Sequence, residues 1–286
     1  MLPTDDHGGL ARFFSERSPP VASSDPPVTR IARYRIDGSV HYGACEGDAY
    51  RRMSDAPWRG GEPTGHSDPQ ARTTPLAPCE PTKIVCVGLN YRAHVAESTS
   101  LIAAAGPPSE PLLFLKPPSA VIGPGAPIRY PAGVTRLDPE GELAVVIGRR
   151  ATRVAVADAL DHVAGLTAFN DVSARNYQKS DGQWARAKGF DTFAPIGPVV
   201  VCGLDWRGRT VECRVNGETR QRASTDDLLF DVPFLVSFIS GVMTLEPGDV
   251  IATGTPAGVA PIHPGDRVCV EISGVGALEN AVESGA

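Results

Sequence analysis

From Lys83 onward the chain is cut into short β-rich runs: KIVCVGLN, LLFLKP, ELAVVIG, GLTAFNDV, PIGPVVV, VECRVNGETRQ, DVIATG and DRVCVEISGVG. Each is of strand length, and turn chemistry separates them. Asn216-Gly217 is a hairpin signal, and two Pro-Gly-Asp turns, at 247–249 and 264–266, each launch a strand. Helical patterns are few. VADALDHVAG reads as a short helix, and DVPFLVSFIS as a helix capped by Asp231 with Pro233 in its first turn. The expected class is therefore mixed α+β and mostly β.

Upstream of Lys83 the texture changes twice. RIARYRIDGSVHYGACEGD alternates apolar and polar residues around Asp37-Gly38, a strong hairpin signal. MSDAPWRGGEPTGHSDPQARTTPLAPCEP is dense in Pro and Gly and reads as a long linker, while the start is rich in Pro, Ser and charge and reads as a disordered tail. The expected division is a tail over 1–28, a small N-terminal β domain with its linker over 29–82, and a catalytic domain over 83–286.

A net charge of −6 argues against a nucleic-acid partner, and no apolar run approaches a membrane span. The first residues, MLPTDDHGGLARFF, lack a signal-peptide pattern. Six cysteines are scattered without CxxC or zinc spacing, which is expected of reduced thiols in a cytoplasmic protein. GTPAGV lacks the Gly-Lys-Ser/Thr ending of a phosphate loop, and no GxSxG elbow accompanies a Ser-His-Asp set.

The chemistry starts at LDPEGELAVVIG. Glu140 and Glu142 are two apart, so on a strand they share a face with Cα atoms roughly 6.5–7 Å apart. Asp138 shares that parity. Stacked carboxylates entering a buried strand repel one another, and the simplest remedy is a hard divalent cation, Mg²⁺ or Mn²⁺. Asp171, at the end of the run TAFND, offers a third carboxylate. His94 and Glu97 are spaced i, i+3, so one helical turn places them in contact, a pairing that suits a general base.

The segments KIVCVGLNYRAHVAES, LLFLKPPSAVIGPG, EGELAVVIGR, NDVSARNYQ, GQWARAKGFDTFAPIGP and MTLEPGDVIATGTPAGV, in this order, resemble the fumarylacetoacetate hydrolase family over about residues 30–282. The resemblance implies a β-sandwich roll for the main domain and a homodimer paired through it. It implies Mg²⁺ or Mn²⁺ on Glu140, Glu142 and Asp171, with Asp138 outside the ligand set. It makes Lys188 the active-site lysine and places His94 and Glu97 on a short lid continuing into STSLIAAAGPPSEP. Arg175, Gln178, Thr255 and Lys116 match substrate-contacting positions.

The substrate implied is a small 2-oxo acid whose carbonyl the cation polarises, so that an enolate is stabilised. Hydrolysis of a C–C bond in an acylpyruvate-type 2,4-dioxo acid is the first expectation, with His94 and Glu97 preparing water. Oxaloacetate decarboxylation and hydroxymuconate-type isomerisation or tautomerisation use the same intermediate. A catalytically silent binding protein is the contrasting class, and it would predict damage to His94, Glu97 or Lys188; all three are intact.

Overall fold

Asp37 and Gly38 both adopt positive φ, 49° and 80°, and strands Thr29–Ile36 and Ser39–Glu46 pair across them with Ile36 opposite Ser39. Asn216 and Gly217 repeat the device at 53° and 81°, between Thr210–Val215 and Glu218–Ser224. These are the primed turns whose twist matches that of the strands they join. The computed structural model describes residues 28–97 and 106–285. Residues 1–27, most of the expected tail, lie outside the described residues, as do 98–105 of the expected lid.

Two large sheets carry the molecule. In the larger, Gly141–Ile147 lies between Val163–Asn170 and Val250–Ala252, and Ile84–Gly88 and Leu112–Lys116 continue to one edge. On the other side Ala194–Cys202 pairs with Thr29–Ile36, so the N-terminal hairpin extends the same sheet. The smaller sheet holds Glu218–Ser224, Thr210–Val215, Arg267–Ile272, Gly276–Ser284 and Ile128–Tyr130.

Every residue of Gly141–Ile147 is buried, and alternate side chains enter different cores. Leu143, Val145 and Ile147 join Val211, Val268 and Val270 of the smaller sheet, while Ala144 and Val146 pack with Ile84, Cys86 and Phe169. A strand covered on both faces has no polar side, which accounts for the unbroken run LAVVI. This mostly β, two-sheet arrangement is the roll the sequence implies.

The residues read as a linker are built into the fold. Pro57–Arg59 forms a 3₁₀ turn that buries Trp58, and Pro63–Pro69 pairs with Ala49–Met53 at the edge of the sheet, where proline is tolerated. Helix Val232–Val242 begins as expected, with the Asp231 carboxylate accepting from the Phe234 N–H at 2.9 Å. Val156–His162 is 3₁₀ rather than α, and two short helices, Arg175–Asp181 and Ala185–Gly189, had no signal in the sequence. All six cysteines are free, and burial pushes the Cys79 thiol up to about 12. No helix among the described residues is long and apolar enough to cross a membrane.

Candidate metal centre

Glu140 and Glu142 flank the first residue of Gly141–Ile147, opposite the end of Val163–Asn170, where Gly141 pairs with Asn170. The corner is tied by short-range bonds. The Asn170 side chain accepts the Glu140 N–H at 3.0 Å, and the Asp171 N–H donates to the Glu140 carbonyl at 2.8 Å. Glu140, Glu142 and Asp171 thereby converge, each offering an oxygen within 4.8 Å of the others, and all three are buried.

Asp138 departs from strand parity. Leu137–Asp138 is a separate two-residue strand paired with Ser173–Ala174, so Asp138 does not stack on the glutamates. Its carboxylate accepts two bonds from Arg136, both 2.9 Å, and one from Arg175 at 2.8 Å.

Cations surround two of the three converging acids. Lys188 bridges Glu140 (2.7 Å) and Asp171, and Arg175 reaches the other Glu140 oxygen at 2.5 Å. Lys116, fully buried, donates to Asp171 at 2.5 Å and to the Val172 carbonyl. Burial opposes the Glu140 charge, yet Arg175 and Lys188 hold its carboxyl well below the usual range. Burial likewise opposes the Lys188 charge, and Asp171 and Glu140 outweigh it and raise its pKa. Lys116 goes the other way: burial lowers it, more than Asp171 restores.

Among the described residues no cation forms an ion pair with Glu142, although the Lys188 charge acts on it from nearby. Its carboxylate accepts the Gly254 N–H at 2.8 Å, and burial followed by the charges of Asp171 and Glu140 pushes it well above the carboxylate range. Gly254 is required there: its φ is +102°, and a Cβ would meet Asn90 Cβ at 2.8 Å. Three hard oxygen donors, one of them crowded by like charge, suit a Mg²⁺- or Mn²⁺-sized dication.

Helix Arg92–Glu97 brings His94 Nδ1 to 3.5 Å from Glu97 Oε2, and Glu97 also accepts the Gly258 N–H at 2.9 Å. His94 lies near enough to Glu140 to act on it electrostatically when protonated. Gln178 accepts from Arg175 at 2.8 Å. Thr255 is nearly spent within the fold, donating to the Gly141 carbonyl and accepting from Gln221. Gln221 also accepts the Gly141 N–H, so it locks the corner. It sits in a hairpin strand with no local motif and went unnoticed in the sequence.

The C-terminal model of the fumarylacetoacetate (FAA) hydrolase family matches residues 83–283, and a model described as Rv2993c-like, N-terminal, matches residues 29–78. Oxaloacetate tautomerase YisK of Bacillus subtilis is 43% identical over 215 residues, 71% of this chain and 70% of that protein. The crystal structure of 5-carboxymethyl-2-hydroxymuconate delta-isomerase from Mycobacterium smegmatis matches with a TM-score of 0.83 at 44% identity, covering 89% of this chain and 99% of that one. Maleylpyruvate hydrolase from Sphingobium sp. SYK-6, solved with manganese(II) and pyruvate, matches with a TM-score of 0.73 at 31% identity, covering 90% and 100%. Agreement of this extent with the order of motifs, the two-sheet fold and the acidic centre makes the chain an enzyme of the fumarylacetoacetate hydrolase family.

Proposed function

We propose that this enzyme interconverts the keto and enol forms of a short 2-oxo dicarboxylic acid, oxaloacetate being the simplest, with Mg²⁺ or Mn²⁺ held by Glu140, Glu142 and Asp171. The balance of charge at the centre carries this reading. Four carboxylates, Asp138, Glu140, Glu142 and Asp171, are matched by four cations, Lys116, Arg136, Arg175 and Lys188. A dication adds two positive charges, which a dianion balances and a monoanion leaves half uncompensated. Relatives named as an oxaloacetate tautomerase and a hydroxymuconate isomerase support this reading, while the relative solved with manganese(II) and pyruvate is named a maleylpyruvate hydrolase and supports the second reading below.

When bound, the cation would polarise the 2-oxo group and acidify the neighbouring C–H. His94, 3.5 Å from Glu97, takes the proton from that carbon. Solvent supplies one to the 2-oxo oxygen while His94 returns its own to solvent, so that the net change is a proton shift. No C–C bond breaks. Lys188 and Arg175 offset the carboxylates around them.

The His94–Glu97 pair also favours a second reading, since the same base would prepare water to attack the second carbonyl of an acylpyruvate. A panel of oxaloacetate, acetylpyruvate, fumarylpyruvate and a hydroxymuconate, with Mg²⁺ and with chelator, separates the two, the Glu140→Ala variant serving as background. Keto–enol interconversion of oxaloacetate is expected to be the fastest reaction. Cleavage of monoanionic acetylpyruvate faster than any turnover of a dicarboxylate would overturn the first reading in favour of the second.

A further inference from the structure

Asp138 is fully buried and is no member of the converging triad, yet it is tied to it through a single side chain. The Arg175 guanidinium spends each of its three nitrogens on a different partner: Nε on Asp138, Nη1 on Gln178 and Nη2 on Glu140. A planar fork prefers to close on one carboxylate with two parallel bonds. Here Arg175 is divided between two, so Glu140 receives only one bond from it.

We infer that Asp138 is a positioning residue that sets the cation affinity of the centre by keeping Arg175 from closing on Glu140. Without the Asp138 charge, Glu140 is the carboxylate that Arg175 still contacts, and the fork swings onto it. A cation then has to displace two charge-assisted bonds from that ligand rather than one. Arg136, half exposed and bidentate on Asp138, is the outer counter-ion of the arrangement and draws on the Asp138 oxygens in competition with Arg175.

The inference rests on Glu140, Glu142 and Asp171 being cation ligands, and Mn²⁺ titration by calorimetry or electron paramagnetic resonance tests the two separately. A wild-type protein that binds no Mn²⁺ would sink the ligand assignment itself. Given wild-type binding, Asp138→Asn is expected to weaken Mn²⁺ about 10–100-fold, the usual effect of losing an outer partner of a metal ligand. In an Arg175→Gln background the same change should alter affinity less than about twofold, because the side chain it acts through is gone. Unchanged affinity in Asp138→Asn, or a full loss that persists without Arg175, would overturn the inference. Should Asp138→Asn fail to fold, Arg136→Gln replaces it: freeing Asp138 to hold Arg175 more firmly should tighten Mn²⁺ binding, and unchanged or weaker binding would overturn the inference.

Discussion

Asp68 and Glu142 are both buried carboxylates, 6% and 2% exposed, and their surroundings treat them in opposite ways. Asp68 is clasped by Arg52 at 2.7 and 2.8 Å and by the Tyr34 hydroxyl at 2.6 Å. The Arg52 hydrogen bonds hold its carboxyl down to about 2, against the opposing effect of burial. Glu142 is pushed up, first by burial and then by Asp171 and Glu140, and one backbone N–H and the more distant Lys188 do not offset them. Asp68, met by Arg52 and Tyr34 with no second acid beside it among the described residues, is structural. Glu140 and Asp171 also have cations beside them, and it is their convergence with Glu142 that marks the site. A carboxylate left in the company of like charges destabilises the fold on its own and becomes favourable when a cation arrives. That contrast separates clasp from site using chemistry alone.

The largest expected effect tests whether the crowded cluster is the site. Chelator, or Glu140→Ala, should abolish turnover, and Mg²⁺ or Mn²⁺ should restore it in the chelated wild type only. Asp68→Asn should leave the turnover of the folded protein unchanged. Full activity after thorough metal removal would erase the distinction drawn between the two carboxylates.

Next in size is the base. His94→Ala should lower kcat about 10²–10⁴-fold, the contribution of a positioned general base, with Mn²⁺ affinity nearly unchanged since His94 is no ligand. A parallel loss of Mn²⁺ binding would place His94 among the ligands instead.

The clasp should fail through stability. Asp68→Ala leaves Arg52 and Tyr34 without their carboxylate, a loss of about 3 kcal/mol readable in urea unfolding. Because the folded pKa lies below the unfolded value, the stabilisation is complete above about pH 4 and disappears as pH falls through about 2. The shift corresponds to about 2 kcal/mol. Acid unfolding of Asp68→Ala should therefore be flatter than that of the wild type over this range.

The two regions also differed in how far they could be read from the sequence. Spacing suggested that Glu140 and Glu142 share a face, and the choice of Glu140, Glu142 and Asp171 as one set came from the resemblance, since spacing alone fits exposed acids equally; the three do converge. The His94–Glu97 pair was legible for the analogous helical reason. The clasp was hidden, since Tyr34, Arg52 and Asp68 meet across strands whose pairing no local pattern specifies, and Asp68 lay in a Pro- and Gly-rich stretch read as linker. Asp138 was misplaced for a related reason. Parity assumed one continuous strand, whereas the chain breaks between Asp138 and Gly141 and hands Asp138 to Arg136 and Arg175. Local periodicity carries faces and turns, and long-range partners decide which charges are balanced.

The smallest effect is the one that tests the contrast most directly. Glu142→Gln keeps the shape of the side chain and the bond from the Gly254 N–H while removing one of three like charges packed within 4.8 Å. In chelator the variant should be as stable as the wild type or more so, by about 1 kcal/mol, as is usual when a site residue is exchanged for its neutral analogue. Adding Mg²⁺ should reverse the order. Wild-type protein gains about 2.7 kcal/mol when the cation is at 100 times its dissociation constant, and a variant with one ligand weakened gains much less. The two thermal unfolding curves should therefore cross as Mg²⁺ is titrated in. If Glu142→Gln were instead destabilised in chelator by as much as Asp68→Ala, Glu142 would be serving the fold as Asp68 does, and the crowding of the three acids would need an explanation other than a cation.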